Sequence, residues 1–292
     1  MALATGFENF TTPDAPLADR TWLRVGGTAK LLARPSNVDE LIAVVARCRE
    51  EGVSVRLLGG GSNVLVRDSG YDGVVVSLED EAFHKVEIEG NRVRAGGGAS
   101  LAKLINDTVR SGLAGLDPLV GIPGTVGAAL HNNSGGRGGD IGQCAREATV
   151  LTRSGETLTR TRDDMVFAYR ESSLDELVIL EAEFELEPQD PDTLTKRMQK
   201  QWIVQKSTQP MTHQRAAQVF RNPRGMSAGM LIDQAGLKGA AVGGAEVSPK
   251  HANYIVAHDG ASSDDIEKLI DKVRDSVAER MGVELERALE IW

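Results

Sequence analysis

A run of three glycines at residues 59–61 is the first feature that could do chemistry. Ser62 and Asn63 follow it, and apolar residues flank the whole segment. Consecutive glycines can present successive backbone N–H groups to an anion, and without Cβ atoms they admit a diphosphate to hydrogen-bonding distance. A flexible turn explains the glycines alone equally well. The Rossmann spacing fails because it needs a glycine at Val64, and no Walker A sequence occurs, so a bound dinucleotide would require another fold.

A second glycine-rich segment, residues 121–127, reads Gly-Ile-Pro-Gly-Thr-Val-Gly and precedes an Ala-Ala-Leu run. This pattern favours a loop that leads into a helix, where free N–H groups and the helix dipole attract phosphate. Two such loops suggest a ligand with more than one phosphate group.

Residues 225–229 match the G-x-S-x-G pattern of serine hydrolases, with Ser227 as the candidate nucleophile. Asp233, His251 and His258 follow in the order that such a triad needs. However, a nucleophile elbow places its serine directly between a strand and a helix, and here an Asn-Pro-Arg segment intervenes. We therefore favour a helix cap for Ser227 and keep the hydrolase as a minor alternative.

Two further polar motifs carry candidate residues. Arg170, directly after Tyr169, could clamp an anion, although a solvated surface arginine has the same sequence signature. Lys250, His251 and Asn253 lie in a turn before an apolar strand, where polar residues are common. Neither motif assigns a function by itself.

Composition narrows the class of protein. The chain has 292 residues, enough for a sizeable core, and a formal net charge of -9. The acidic balance argues against general nucleic-acid binding. We expect a cytoplasmic protein without a membrane partner, because the chain has no run of eighteen apolar residues and no leader pattern. The separated Cys48 and Cys144 argue against a disulfide framework or a metal site.

Two elements are predicted near the C-terminus. An apolar-periodic helix starts at Ser262 or Ser263 and stops at Gly282. Residues 283–292 alternate as a strand, which would put three side chains on one face, namely Glu286, Ala288 and Glu290.

Four segments, in this order, make the chain similar to the UDP-N-acetylenolpyruvoylglucosamine reductase (MurB) family of peptidoglycan precursor synthesis. They are residues 57–66, 121–136, 167–173 and 219–256. The likeness extends from about Thr21 to the C-terminus. It is to the shorter class of the family, which lacks an inserted tyrosine-bearing loop.

The resemblance implies an α+β fold of the FAD-linked oxidase (PCMH) type. The FAD-binding region would have two lobes, residues 1–80 and 81–190, followed by a C-terminal α+β substrate domain, residues 191–292. Expected cofactors are FAD and NADPH, the expected substrate is the enolpyruvyl ether of a UDP-sugar, and a monomer is expected. The residues that match the family's FAD loops are Leu58, Gly59, Gly60, Gly61, Ser62, Asn63, Gly121, Ile122, Pro123, Gly124, Thr125 and Gly127.

The carry-over of catalytic residues is uneven. Arg170 matches the family's arginine, which would pair with the substrate carboxylate. Gln218 stands at the place of the family's proton-donating serine, and Ser227 is the nearest hydroxyl downstream. Ala288 stands at the place of the family's glutamate, for which Glu290 or Glu286 on the same strand face could substitute. Substrate contacts are expected from Tyr169, Asn222, Lys250, His251 and Asn253.

Two hypotheses follow from the resemblance. In the first, the chain is a working reductase whose proton donor and carboxylate partner have changed. In the second, it keeps the scaffold and FAD but has lost or altered reductase activity, which Gln218 and Ala288 suggest. Only the first predicts that the enolpyruvyl substrate reoxidises a flavin that NADPH has reduced.

Overall fold

The computed structural model describes residues 2–136, 138–210 and 215–292, and the chain divides into two compact units. The first unit contains Met1–Pro13, Leu31–Gly60 and Gly73–Ile203. The second unit contains Asp14–Lys30, Gly61–Asp72 and Val204–Trp292. Each unit therefore combines segments that are distant in the sequence.

The described residues contain these helices and strands. The helices are α1 (Val38–Glu50), α2 (Leu101–Arg110), α3 (Val126–His131), α4 (Pro191–Thr208), α5 (Ala228–Gln234) and α6 (Ser263–Met281). The strands are β1 (Thr11–Pro16), β2 (Thr28–Ala33), β3 (Val55–Leu57), β4 (Val64–Leu65), β5 (Tyr71–Val76), β6 (Val86–Glu89), β7 (Arg92–Gly96), β8 (Leu113–Ala114), β9 (Gly135–Gly136), β10 (Gly139–Asp140), β11 (Ala145–Leu151), β12 (Thr157–Thr161), β13 (Phe167–Ala168), β14 (Glu171–Ser172), β15 (Val178–Glu185), β16 (Glu187–Pro188), β17 (Ala216–Gln218), β18 (Ala241–Val242), β19 (Ala245–Val247), β20 (Tyr254–Ala257) and β21 (Glu290–Ile291).

A five-stranded antiparallel sheet, in the order β12-β11-β15-β7-β6, is the main sheet of the first unit. Helix α2 contributes an apolar stripe to the same core because its apolar residues recur at helical spacing. The hydroxyl of Ser100 accepts a hydrogen bond from the Lys103 N–H and so caps the start of α2. Its buried apolar residues are Leu101, Leu104, Ile105 and Val109.

A second cluster of buried residues in the first unit forms around α1. Strands β3 and β5 pair in parallel, with Val55 opposite Val74 and Leu57 opposite Val76. Helix α1 buries Leu41, Val44, Val45 and Cys48 in this cluster. The glycine run follows β3 directly in the chain. The pairing of β3 with β5 therefore sets the position from which residues 59 and 60 start.

The second unit is built on the antiparallel sheet β17-β20-β19-β18. Helix α6 buries Ile266, Leu269, Ile270, Val273 and Val277, as predicted. Ser262 and Asp265 form a capping box at its start, and Gly282, with φ of 67°, ends it in the left-handed region that favours glycine. The predicted bounds of this helix are confirmed.

The α+β class is confirmed by this mixture of helices and mainly antiparallel sheets. The three-domain division stays a prediction, and the compact units cut the chain differently. Residues 14–30 and 61–72 join the second unit because Leu23, Val25 and Leu65 are buried in its core. Across the described ranges, no helix has both the length and the apolar composition to cross a bilayer.

Candidate active site

The two glycine-rich loops meet inside the first unit. A Cβ atom added to Gly60 would lie 2.8 Å from the Cα atom of Gly124, and one added to Gly59 would lie 2.9 Å from Oγ1 of Thr125. Real Cβ atoms do not approach this closely, so a side chain at either position would push the loops apart. The glycines therefore let one loop pack on the other, a reason that the sequence did not indicate.

Unused N–H groups accumulate where these loops meet. The backbone N–H groups of Gly59, Gly60, Gly124 and Thr125 donate no hydrogen bond to any residue in the described part of the chain. The Thr125 hydroxyl, unlike its N–H, already has a partner. It accepts from the Ala128 N–H at 3.4 Å and caps α3. Free N–H groups on two adjoining loops are donors of the kind that bind a diphosphate such as that of FAD.

The rest of the first loop belongs to the second unit and is used differently there. The Gly61 carbonyl accepts from the Trp22 N–H at 2.9 Å, and a Cβ atom on Gly61 would collide with the Arg20 carbonyl oxygen. Asn63 donates from Nδ2 to the Ala288 carbonyl at 3.0 Å. Its own carbonyl accepts from the Glu290 N–H at 3.0 Å. Asn63 thus holds the C-terminal segment in place through these two hydrogen bonds.

Arg170 lies at the tip of a short hairpin. Strands β13 and β14 pair Phe167 with Ser172 and Ala168 with Glu171, which leaves Tyr169 and Arg170 as the two-residue turn. Arg170 has φ of 58°, a left-handed conformation that costs a non-glycine residue roughly 1–2 kcal/mol. Its guanidinium makes no hydrogen bond or ion pair with any described residue. A strained and unpartnered arginine is a ready anion ligand.

Gln218 lies at the end of β17, directly opposite Tyr254 of β20. The neighbouring pair, Ala217 and Ile255, is buried in the core of the second unit, so Gln218 and Tyr254 share the other face of the sheet. The Gln218 amide has no hydrogen-bond partner among the described residues. The Tyr254 hydroxyl lies 3.2 Å from Oε1 of Gln209, to which it donates. Tyr254 was not a candidate residue from the sequence, and the cross-strand register is the feature that places its hydroxyl opposite Gln218.

Several residues predicted to bind substrate have their polar atoms engaged within the protein. Asn253 is 2% exposed, and its amide bonds both the N–H of Phe220, at 2.9 Å, and the carbonyl of Phe220, at 2.8 Å. Oδ1 of Asn222 accepts from the Ala228 N–H at 2.9 Å. The ammonium of Lys250 donates to the Lys206 carbonyl at 2.7 Å. In the structure described, these three groups stabilise turns and strand ends.

His251 is half-buried and packs its ring edge-on against Tyr254, with 5.2 Å between ring centroids. Its Nδ1 accepts from the Asn253 N–H at 3.3 Å, which leaves the proton on Nε2. Burial lowers the pKa of the imidazole, and the nearby Lys238 ammonium lowers it further. The neutral ring is therefore favoured near pH 7.

Ser227 is the N-terminal cap of α5, as favoured from the sequence. Its Oγ accepts from the Met230 N–H at 3.4 Å. Asp233 pairs with Lys238 at 2.6 Å and His258 with Glu246 at 2.6 Å. These partners leave the residues of the formal triad in separate interactions, so the described structure does not assemble a serine hydrolase site.

The predicted C-terminal strand over residues 283–292 is too long: a regular strand forms only at Glu290 and Ile291, which pair in parallel with β4, and Arg287 makes an isolated antiparallel bridge with Phe220. The N–H groups of Ala288 and Leu289 both donate to the Val219 carbonyl, at 2.7 and 3.2 Å. Two consecutive donors on one acceptor make a local irregularity, as in a β-bulge. Burial still alternates around it, since Leu285 and Leu289 are buried while Glu286 and Glu290 are exposed, so the shared face of Glu290 and Ala288 stays a prediction.

The two acidic candidates near Ala288 have partners of their own. Glu286 pairs with Arg221 at 3.0 Å. Glu290 accepts from the indole N–H of Trp292 at 3.3 Å. A substitute carboxylate for the substrate site would have to exchange one of these interactions.

Comparison with known proteins identifies two families that match the chain. Residues 29–161 match the family described as FAD binding domain, and residues 209–292 match UDP-N-acetylenolpyruvoylglucosamine reductase, C-terminal domain. A relative named UDP-N-acetylenolpyruvoylglucosamine reductase from Rhodopirellula baltica is 40% identical over 277 residues, covering 95% of this chain and 91% of its own length. The Bacillus subtilis protein of the same name is 38% identical over 279 residues, covering 94% of this chain and 92% of its own length.

A crystal structure of the reductase from Thermus caldophilus superposes on the described fold. It has a TM-score of 0.82 and 33% sequence identity, and the match covers 95% of this chain and 97% of that one. The chain belongs to the UDP-N-acetylenolpyruvoylglucosamine reductase (MurB) family.

Proposed function

We propose that the chain is an FAD-dependent reductase that uses NADPH to convert UDP-N-acetylenolpyruvoylglucosamine to UDP-N-acetylmuramate. The observation that carries the proposal is the set of free N–H groups at the loop junction, on Gly59, Gly60, Gly124 and Thr125. These groups would hold the cofactor diphosphate. Bound FAD supplies the redox chemistry, because it can accept hydride from NADPH and deliver hydride to one carbon of the enolpyruvyl alkene.

Arg170 would bind the substrate carboxylate. Its planar guanidinium can donate two parallel hydrogen bonds to that group, and it has no internal partner among the described residues to give up. Negative charge develops toward the carboxylate as hydride adds to the alkene. A guanidinium already in place stabilises that charge without reorganisation at the moment of reaction.

The second alkene carbon needs a proton, and Gln218 is a poor acid because a neutral amide does not ionise in the useful range. We propose that the Tyr254 hydroxyl provides this proton and is reprotonated from water. Its support is the strand register, which sets Tyr254 opposite Gln218 on the face away from the core. Gln218 itself would keep a hydrogen-bonding role toward the substrate.

The function is tested with the purified holoprotein under anaerobic conditions. NADPH should bleach the oxidised flavin band, and the enolpyruvyl UDP-sugar should restore it with formation of the muramate product. A protein that purifies without flavin and takes none up would contradict the proposal. The Tyr254→Phe variant should slow only the second step, and an unchanged rate would remove Tyr254 as the donor.

A flavin-binding protein without the second step is the other candidate, which Gln218 and Ala288 favour. It predicts reduction by NADPH followed by no substrate-dependent reoxidation. We further propose that the protein acts as a monomer in the cytoplasm, where NADPH and nucleotide-activated sugars are made. Light scattering of the holoprotein tests the oligomeric state.

A further inference from the structure

We infer that Asn133 is a positioning residue for Arg170, through hydrogen bonds that fasten the arginine hairpin to the end of α3. The inference rests on the proposed role of Arg170 in binding the substrate carboxylate. Asn133 was not a candidate in the sequence analysis, and no reaction step requires it to touch substrate. Its side chain instead connects the end of α3 with the arginine hairpin, both in the first unit.

The Asn133 side chain bridges two backbone groups. It is 4% exposed, and its Nδ2 donates to the Ala168 carbonyl at 2.8 Å. Its Oδ1 accepts from the Gly142 N–H at 3.1 Å. Ala168 is the residue directly before the Tyr169–Arg170 turn. The amide therefore holds the hairpin two residues from the functional guanidinium.

The other strand of the hairpin is held by the same segment. Oγ of Ser172 donates to the His131 carbonyl at 2.9 Å. The imidazole Nδ1 of His131 donates to the Leu174 carbonyl at 2.8 Å, just beyond β14. Both strands of the hairpin are thus tied to residues 131–133, which directly follow or end α3.

Helix α3 connects this anchor to the loop junction. It starts after Thr125, whose free N–H is part of the proposed diphosphate cradle, and ends at His131. A helix of this length is a rigid spacer of about 9 Å. Asn133 itself has φ of 40° and its N–H bonds the Leu130 carbonyl at 3.1 Å, as in the left-handed residue that ends many helices.

This connection matters because the turn cannot position its own arginine. Arg170 is strained at φ of 58° and makes no bond to another described residue. A misplacement of about 1 Å in a group that binds the reacting part of a substrate can cost roughly 10²-fold in rate. The bridging amide of Asn133 restricts that displacement at the base of the turn.

The test uses Asn133→Gly, because glycine adopts φ of 40° without strain and so isolates the loss of the amide. Reoxidation of the reduced holoprotein by saturating substrate should slow about 10-fold or more. Reduction by NADPH should change less than about 2-fold, since Arg170 has no part in that step. Asn132→Ala is the matched control, because the Asn132 side chain bonds, among the described residues, only the Ala128 carbonyl of its own helix, at 3.1 Å.

A double-variant comparison separates positioning from general damage. In an Arg170→Ala background, Asn133→Gly should slow reoxidation by less than about 2-fold, because the group that it positions is already absent. An undiminished effect in that background would overturn the inference. Reoxidation of Asn133→Gly at the rate of Asn132→Ala would also overturn it.

Two further outcomes are decisive. If Arg170→Ala reoxidises at the wild-type rate, the carboxylate role fails and the positioning role fails with it. If Arg170→Ala is slow and Asn133→Gly is not, only the positioning role fails. Should Asn133→Gly purify without flavin, Asn133→Asp replaces it in the same comparison. That variant keeps an oxygen that can accept from the Gly142 N–H but loses the donor to the Ala168 carbonyl, and an unchanged reoxidation rate in it would contradict the inference.

Discussion

Two sets of candidate polar groups, one in the first unit and one in the second, differ in how their hydrogen bonds are used. In the first unit, the amides at the loop junction and the guanidinium of Arg170 have no partner among the described residues. In the second unit, Asn253 and Ser227 donate to or accept from the backbone around them. Both sets lie in motifs that resemble the same family. Motif membership alone therefore does not separate a ligand-binding residue from one that maintains the fold.

Hydrogen-bond accounting gives a physical reason for the separation. A side chain that already hydrogen-bonds buried backbone groups gains little free energy by binding a ligand. The backbone groups that it leaves lose their hydrogen-bond partner. A group without a partner in the protein gives up only its bound water when it binds a ligand. The comparison predicts that changes in the first set alter flavin chemistry, whereas changes in the second set alter stability.

Gly60→Ala should have the largest effect on the first set. The added Cβ would lie 2.8 Å from the Cα of Gly124, so the two loops must separate and the free N–H groups would no longer converge. We expect loss of most bound flavin while the protein stays folded, measured as the flavin-to-protein absorbance ratio. Gly90→Ala adds the same methyl group in open space, at a φ of 62° whose strain lowers stability without moving the two loops, and should keep its flavin. Full flavin content in Gly60→Ala would break the comparison.

Asn253→Ala should act on stability. Removing the amide leaves the N–H and carbonyl of Phe220 without their side-chain partner, which should lower the free energy of unfolding by about 3 kcal/mol. Urea unfolding of the holoprotein, followed by tryptophan emission, measures the change. Asn106→Ala, at an exposed position of α2, should change it by less than about 0.5 kcal/mol. A catalytic defect without a loss of stability would instead place Asn253 among the residues that act in flavin chemistry.

Ser227→Ala should cost less because it removes one long capping bond at the start of α5. We expect a loss of about 0.5–1 kcal/mol in the free energy of unfolding. Flavin reduction and reoxidation should be unchanged. A fluorophosphonate probe should leave the wild-type protein unlabelled, and a covalent adduct at Ser227 would contradict the capping role.

His251 should give a small dependence of stability on pH. Burial lowers the pKa of the folded imidazole below its usual 6.5, so the unfolded chain binds the proton more readily. The stabilising contribution is full above about pH 6.5 and is lost as the pH falls toward the folded pKa. Urea midpoints at about pH 7.5 and about pH 5.5 should differ more in the wild type than in His251→Asn. An equal difference in both proteins would assign the pH dependence to other groups.

The sequence predicted local features well when local spacing caused them. Helix α6, with its capping box and terminal glycine, has the predicted bounds because caps and apolar periodicity act within one element. The cap at Ser227 was predicted for the same reason. The resemblance likewise located Arg170, and the structure adds that it forms the tip of a two-residue turn.

Features that depend on distant segments were not predictable in this way. The glycines at 59 and 60 were expected to clear room for a ligand, but the atoms nearest to their missing side chains belong to the second loop. The C-terminal segment is a regular strand only at Glu290 and Ile291, and two N–H groups just before it share the Val219 carbonyl. Asn133 was not among the candidate residues from the sequence. Its contact with Ala168 depends on tertiary packing.

Single-turnover reoxidation of the NADPH-reduced Arg170→Ala holoprotein by substrate tests the central claim most directly. Arg153→Ala is the control, because Arg153 likewise has no partner among the described residues but lies in a different turn, where it is exposed. Arg170→Ala should bind flavin normally and react about 10²- to 10³-fold more slowly, while Arg153→Ala should match the wild type. Equal rates in the two variants would contradict the assignment of Arg170 to the substrate carboxylate.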